Sequence, residues 1–444
     1  MKKRIIITLT ILSVFSVCLP GWGQPWEGNG VEGDPYLIYT AEDMQAVGAN
    51  PDDWSRYFKL IADIDLSGFD GKDGRPTFNI IGYYINGVSS KAFTGNFDGN
   101  GYTIFNFIYD SNHGNDTVGL FGYVDSAGAM IRNLTLHSVD VNSTTWLGTG
   151  ACVGLLFNGN VDNCSVQGGT VSAESAAGGL VGFTWYGLIT NCNSEVTVSA
   201  EWSAGGLVGQ NGFADVTSCK SNCVVTGGSE IGGLIGDNSG GITNCRSSGS
   251  VNATVRSAGG LIGSSSDVVE KCCSTADVTG DNEIGGLIGR NLAEISDCYA
   301  RGSAYGNSTV GGLVGLFWNV PSENGVISNS YSTTSTNGGG LIGYNSDGVV
   351  NASFWDEQAS GTGWSYGGTG KMTADMKTKS TFTNAGWDFA DEAANGTEDI
   401  WDICEGTNYP RLVWQILPAD FVCPDGVDFR DFSVFASYWL KETK

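Results

Sequence analysis

From Gly119 onward the chain alternates apolar and polar residues in short runs, each broken by glycine or a small polar residue. One phrase keeps returning: glycine, leucine, an apolar residue, glycine. Its clear copies centre on Leu180, Leu207, Leu234, Leu261, Leu287, Leu313 and Leu341, spaced 27, 27, 27, 26, 26 and 28 residues apart. Gly119-Leu120-Phe121-Gly122 opens the series, and Gly154-Leu155-Leu156-Phe157 is a worn second copy. A fixed period of this length marks stacked units that bury a shared core.

Within a unit, three short alternating segments are separated by three turns. In one copy these are Gly233-Leu234-Ile235-Gly236, then Ile242-Thr243-Asn244-Cys245, then Val251 to Val255. Alternation gives each segment one inward face. A cysteine stands 11 or 12 residues after the leucine: Cys192, Cys219, Cys245, Cys272 and Cys298, with Cys164 placed similarly after Leu155. Ser330 and Ala352 are expected in that column in the last two units. Val198, Val225, Val251, Val278 and Ala304 follow six residues later. Such columns stack on themselves at about 4.8 Å per coil and pin the register. Asn or Asp often precedes the cysteine, as turn residues do. The twin glycines suit a corner with positive φ or a close backbone approach.

The predicted fold is all-β: a right-handed parallel β-solenoid of about nine coils with a cap at each end. Handedness follows from the general crossover preference. The phrase in residues 119–343 resembles the GLUG-motif family of secreted and surface bacterial proteins. So do Asp34-Pro35-Tyr36-Leu37-Ile38, Phe97-Asp98-Gly99-Asn100-Gly101 and Ser353-Phe354-Trp355-Asp356 in the flanks. The resemblance implies repeat modules on exported proteins and supplies no catalytic residues.

The organisation read from the chain is a signal peptide over 1–23, an N-terminal cap with first strands over 24–110, the solenoid over 111–355, a C-terminal cap over 356–418, and an amphipathic tail over 419–444. Lys2, Lys3 and Arg4 precede an apolar stretch too short to span a bilayer, which reads as a secretory leader. The expected location is therefore secreted or cell-surface, with no membrane span. Thr40 to Asp43 can open a helix through a capping box. The tail from Asp425 resembles the end of a dockerin-type, EF-hand-like calcium loop. Asp425, Asp428 and Asp431 are its only candidate ligands there, against about six oxygens that calcium wants. The favoured reading is a docking helix, with calcium binding left open and no other cofactor expected.

The chain carries a net charge of −25, which argues against nucleic acid as a partner. Its 12 cysteines suit an exported protein, yet the stacked column favours buried thiols over bridges, because parallel side chains point the same way. Cys404 and Cys423 remain a candidate pair. His113 and His137 are the only histidines, and neither lies in a zinc or nucleophile motif. Glu174, Glu201, Glu230 and Glu283 precede Gly-Leu phrases and read as solvated turn charge. Trp185, Tyr186, Trp202, Phe317 and Trp318 fall at turns, where exposed rings could hold sugar or could lid the corners. The expected function is a non-catalytic adhesion or binding scaffold for a surface glycan or protein. The alternative is a carbohydrate-active protein, as lectin, lyase or hydrolase.

Overall fold

The computed structural model describes residues 26–85, 89–111, 116–144, 146–319 and 325–416. The expected leader, His113, Cys423, the whole 419–444 tail and its candidate calcium ligands Asp425, Asp428 and Asp431 lie outside these residues.

The chain winds as a parallel β-solenoid of about eight turns. Two long parallel sheets run the length of the stack. In the first, the residue after each repeat leucine pairs with its counterpart in the next coil. Val181 faces Val208, Val208 faces Ile235, Ile235 faces Ile262, and so on through Ile288, Val314 and Ile342. The leucines themselves are fully buried. Their N–H groups climb the stack: Leu180 donates to the Leu207 carbonyl at 2.9 Å, and Leu234 to Leu261 at 2.8 Å. The second sheet is made of longer strands such as Asn193–Gly205, Lys220–Gly232 and Arg246–Gly259, paired in parallel. One continuous apolar core extends from Trp26 to Trp355.

Two left-handed corners make each turn. One column of positive φ holds the residue before the cysteine: Asn191, Ser218, Asn244, Lys271, Asp297 and Asn329. Asn and Asp tolerate this conformation best, which explains their recurrence there. The second column holds Ala176, Ser203, Glu230, Ser257, Glu283 and Thr309. The twin glycines have no positive φ, so of their two expected roles they serve close approach. A Cβ at Gly178 would stand 2.6 Å from the Gly209 nitrogen, and one at Gly236 would stand 2.6 Å from the Gly209 carbonyl oxygen.

The cysteines occupy the predicted column as free, buried thiols. The sulfurs of Cys219, Cys245, Cys272 and Cys298 each accept a backbone N–H from the coil before. Cys192 N donates to Cys219 Sγ at 3.4 Å, and Cys245 N to Cys272 Sγ at 3.3 Å. Each also donates to the carbonyl two residues upstream, as Cys298 does to Ser296 at 3.1 Å. Ser330 continues the ladder, but Ala352 does not. Ser330 N donates to Ser353 Oγ at 3.2 Å, which makes Ser353 the column residue. Ala352 takes the left-handed corner instead, with φ 43°. Cys404 is disulfide-bonded.

At the N-terminal end, Thr40 and Asp43 form the expected capping box on the helix Ala41–Ala49. The apolar-polar alternation over 57–66 is split into two strands after Leu60. Tyr57–Leu60 joins the first sheet and Ile64–Asp65 the second. At the other end, Thr369–Lys371 adds the last strand. Residues 379–416 then turn back along the side of the stack. Their Phe382, Trp387, Phe389, Trp401 and Leu412 form a second core on outward residues Cys273, Tyr299, Tyr331 and Phe354. This clasp reaches the Lys271 coil, where Trp414 Nε1 donates to the Lys271 carbonyl at 2.9 Å and Lys271 pairs with Glu398 at 3.0 Å.

Candidate binding surfaces

The stacked strands of the second sheet leave a shallow groove on their outer side. It begins as a depression of about 620 Å³ between Trp202, Thr226, Asn252 and Val255. It continues into another of about 560 Å³ bounded by Thr279, Asp281, Tyr305 and Asn307. Asn252 and Thr254 line both. Strand register sets its floor. Ser199 pairs with Thr226, Thr226 with Asn252, Asn252 with Thr279 and Thr279 with Tyr305. Hydroxyl and amide groups therefore repeat once per coil, tied in part by Asn252 Nδ2 donating to Thr279 Oγ1 at 2.7 Å.

An aromatic ring stands near each end. Trp202 is 44% exposed and faces Ser229, and Ser175 faces it from the preceding coil. Small neighbours leave the indole uncovered. Tyr305 is 43% exposed and hydrogen-bonds Ser335 through its hydroxyl at 2.6 Å. Tyr305 and the polar column were not singled out in the sequence. The signal was present as Ser199, Thr226, Asn252 and Thr279 at the repeat period.

The other sequence-selected aromatics lie elsewhere. Trp185 and Tyr186 sit in the turn between Val181–Thr184 and Leu188–Thr190 of the first sheet. There they build an exposed cluster with Phe157 and Phe213. Trp185 meets Phe213 edge-on at 5.6 Å, and Tyr186 stacks on Phe213 at 5.7 Å. Trp318 is exposed at the end of Val314–Trp318. Phe317 is a correction: it is fully buried and cannot offer a face to a ligand. Its position pairs with Asn291 and Asn345, in a column whose side chains turn inward. In that column Asn211 Nδ2 donates to Asn238 Oδ1 at 2.8 Å, and Asn238 Nδ2 to Ser265 Oγ at 3.1 Å. Phe317 fills with a ring the room that asparagines fill with amides.

The glutamates of the second corner are also not simply solvated. Glu283 is buried and accepts from Ser257 Oγ at 2.5 Å. Glu230 accepts from Ser203 Oγ at 3.0 Å and faces Arg256 at 3.8 Å. Burial, reinforced by Glu230, raises the Asp237 carboxyl to about 6. Burial likewise pushes the Cys192, Cys245 and Cys272 thiols well up, whereas at Cys219 burial is outweighed by the hydrogen bonds with Cys192, Cys245 and Thr217, which draw the thiol down. Among the described residues, no three His, Cys, Asp or Glu side chains are grouped to hold a metal ion. No helix among them is long and apolar enough to cross a membrane.

The GLUG motif family matches residues 173–199, one complete turn of the stack from the groove wall to the next Ser199 rung. Halomucin of Haloquadratum walsbyi is 36% identical over 168 residues, which is 36% of this chain and 2% of that protein. A Gly-rich membrane protein of Evansella cellulosilytica is 36% identical over 143 residues, 32% of this chain and 15% of that one. The chain thus spans a small part of these relatives' lengths. A solved structure from Bacteroides ovatus, named as an immunoglobulin A1 protease, aligns with 87% of this chain and 94% of its own at 18% identity and a TM-score of 0.44.

Proposed function

We propose that this chain is an exported surface repeat scaffold that binds an extended, uncharged glycan along the groove of its second sheet, without transforming it. The observation that carries this reading is the polar column from Ser199 to Tyr305, with exposed rings of Trp202 and Tyr305 beside it. Hydroxyl and amide groups repeated at about 4.8 Å suit a ligand that itself repeats, since each sugar unit meets the same partners. Flat aromatic faces with polar groups around them fit the two sides of a pyranose ring. The GLUG match and relatives named halomucin and Gly-rich membrane protein support a surface setting.

The groove's carboxylates favour binding over hydrolysis. Glu201 and Asp281 line it, and the residues before them, Ala200 and Gly280, are three rungs apart through Gly227 and Ala253. That separation is about 14 Å from the strand spacing, whereas paired glycosidase carboxylates stand about 5–9.5 Å apart. The test is a glycan array with the purified protein, followed by titration of any hit against Trp202→Ala and Tyr305→Ala. Binding that both variants lose, at unchanged melting temperature, supports the groove. Binding untouched by either variant, or appearance of cleaved or unsaturated products, overturns the reading.

A further inference from the structure

On the same outer face, where the clasp ends, lies a separate cavity of about 260 Å³. Gln415 closes one side, and Lys220, Arg246, Asn222 and Ser248 form the floor. Lys220 and Arg246 are direct register partners in adjacent parallel strands. Two like charges one strand spacing apart repel each other, and the next coil would extend the column. There the position passes to Cys273 and then Tyr299, over whose ring Arg301 stacks at 4.7 Å. Arg301 is spent on Tyr331 Oη and the Pro410 carbonyl, both neutral acceptors. Three cations therefore converge on the Cys273–Gln415 end of the clasp. Among the described residues none of the three forms an ion pair, although the chain carries 47 acidic residues against 22 basic ones.

In so acidic a protein, unneutralised cations gathered at one concave place call for an anion. We propose that this cavity binds an oxyanion, the carboxylate or sulfate group of a small acidic ligand, between Lys220 and Arg246. The guanidinium offers a planar fork to two oxygens and the ammonium a point charge beside it. Asn222 and Ser248 supply neutral polar groups at the same level. Glu195 also lines the cavity and is engaged by Asn193 Nδ2 at 3.5 Å. It is one negative charge against the two positive ones that line the cavity, and it biases the site toward small anions over large polyanions. The site does not depend on the neutral-glycan groove. The groove's nearest floor residue, Thr226, lies six residues along the strand from Lys220.

The experiment is equilibrium dialysis of the full chain with labelled sulfate and, separately, with D-glucuronate, at constant ionic strength and with D-glucose as the uncharged control. Saturable binding of both anions, no binding of glucose, and affinity about tenfold weaker in Lys220→Gln and further weaker in Lys220→Gln/Arg246→Gln are expected. Both side chains are exposed, so the variants should melt with the parent. Sulfate without glucuronate would restrict the site to inorganic oxyanions and keep the proposal. No saturable anion binding by the parent, or equal binding by the double variant, overturns it. The first result would include the case in which acidic side chains of this chain already fill the cavity.

Discussion

The N–H of Cys298 donates to the Ser330 hydroxyl at 3.1 Å, where those of Cys192, Cys219, Cys245 and Cys272 donate to a thiol at 3.3–3.4 Å. One position thus accepts either SH or OH, provided the group both accepts from the previous coil and donates to its own upstream carbonyl. Ser330 does the second at 2.7 Å to Ser328. The requirement is a small hydrogen-bonding group, not a sulfur bridge. Cys245→Ser should therefore cost no more than about 1 kcal/mol, whereas Cys245→Ala should cost about 1–3 kcal/mol because the Cys219 N–H loses its partner in a dry interior. Denaturant melts of the two variants check this. Equal losses would show that only volume matters.

Native protein treated with iodoacetamide should gain no label on the column, since every one of these thiols is buried and those of Cys192, Cys245 and Cys272 titrate well above the ordinary range. Unfolding without reductant should expose all of them together. Intact mass before and after denaturation reads the difference. Protection that survives unfolding would mean bridges.

Gly206→Ala should be among the most damaging single changes, because a Cβ there meets the Gly233 carbonyl and the Ser221 hydroxyl of the next coil. Overpacking of this kind costs about 1–3 kcal/mol, with nowhere for stacked backbone to move. Gly68→Ala is the control, since nothing stands within 4 Å of its added carbon. The melting temperatures should separate clearly.

Asp237 gives the stack a pH dependence of defined sign. Its folded carboxyl titrates at about 6 against 3.8 for the ordinary group, because burial and Glu230 both disfavour the charge. Below pH 3.8 both states are protonated and the group is silent. As pH rises from about 4 to about 6, the unfolded chain releases its proton first, so stability falls, and above that the penalty is constant. Asp237→Asn should therefore be more stable than the parent by about 3 kcal/mol at pH 7 and similar to it near pH 4. Urea melts at several pH values give the difference curve. A flat difference would remove the assignment.

The leucine, valine and cysteine columns were legible because a parallel stack repeats its contacts at the period of the chain, so one coil predicts the next. The corner asparagines were visible for the same reason, though only the coordinates show positive φ as their cause. What was not legible breaks the period. Phe317 falls at a turn by local reading, yet its column points inward, as Asn291 and Asn345 show. The clasp joins residues with no repeating separation: Trp401 meets Asp297 across 104 positions, and Gln415 meets Cys273 across 142. A trace of it existed in one outward column, where Lys220 and Arg246 give way to Cys273, Tyr299, Tyr331 and Phe354. Charge turning to aromatic at a fixed rung is the mark of a face about to be covered.

That change of character predicts how the clasp can be released without unwinding the coils. Trp401 is fully buried, packs on Trp387 at 4.7 Å and donates through Nε1 to Asp297 Oδ1 at 3.0 Å. Burial raises the Asp297 carboxyl above the ordinary range, and this bond, the Lys271 charge and a hydrogen bond from Asn329 oppose that shift. Truncating Trp401 removes the ring and takes one donor from that carboxylate, a loss of about 3–5 kcal/mol in the second core. The main core from Trp26 to Trp355 shares few side chains with the clasp, and its strands are paired to one another rather than to residues 379–416. In hydrogen exchange, Trp401→Ala should lose protection over 379–416, while Tyr299, Tyr331, Leu207, Leu234 and Leu261, whose N–H groups donate within the stack, exchange as in the parent. Loss of protection across the leucine ladder would instead mean that clasp and solenoid fold as one cooperative unit.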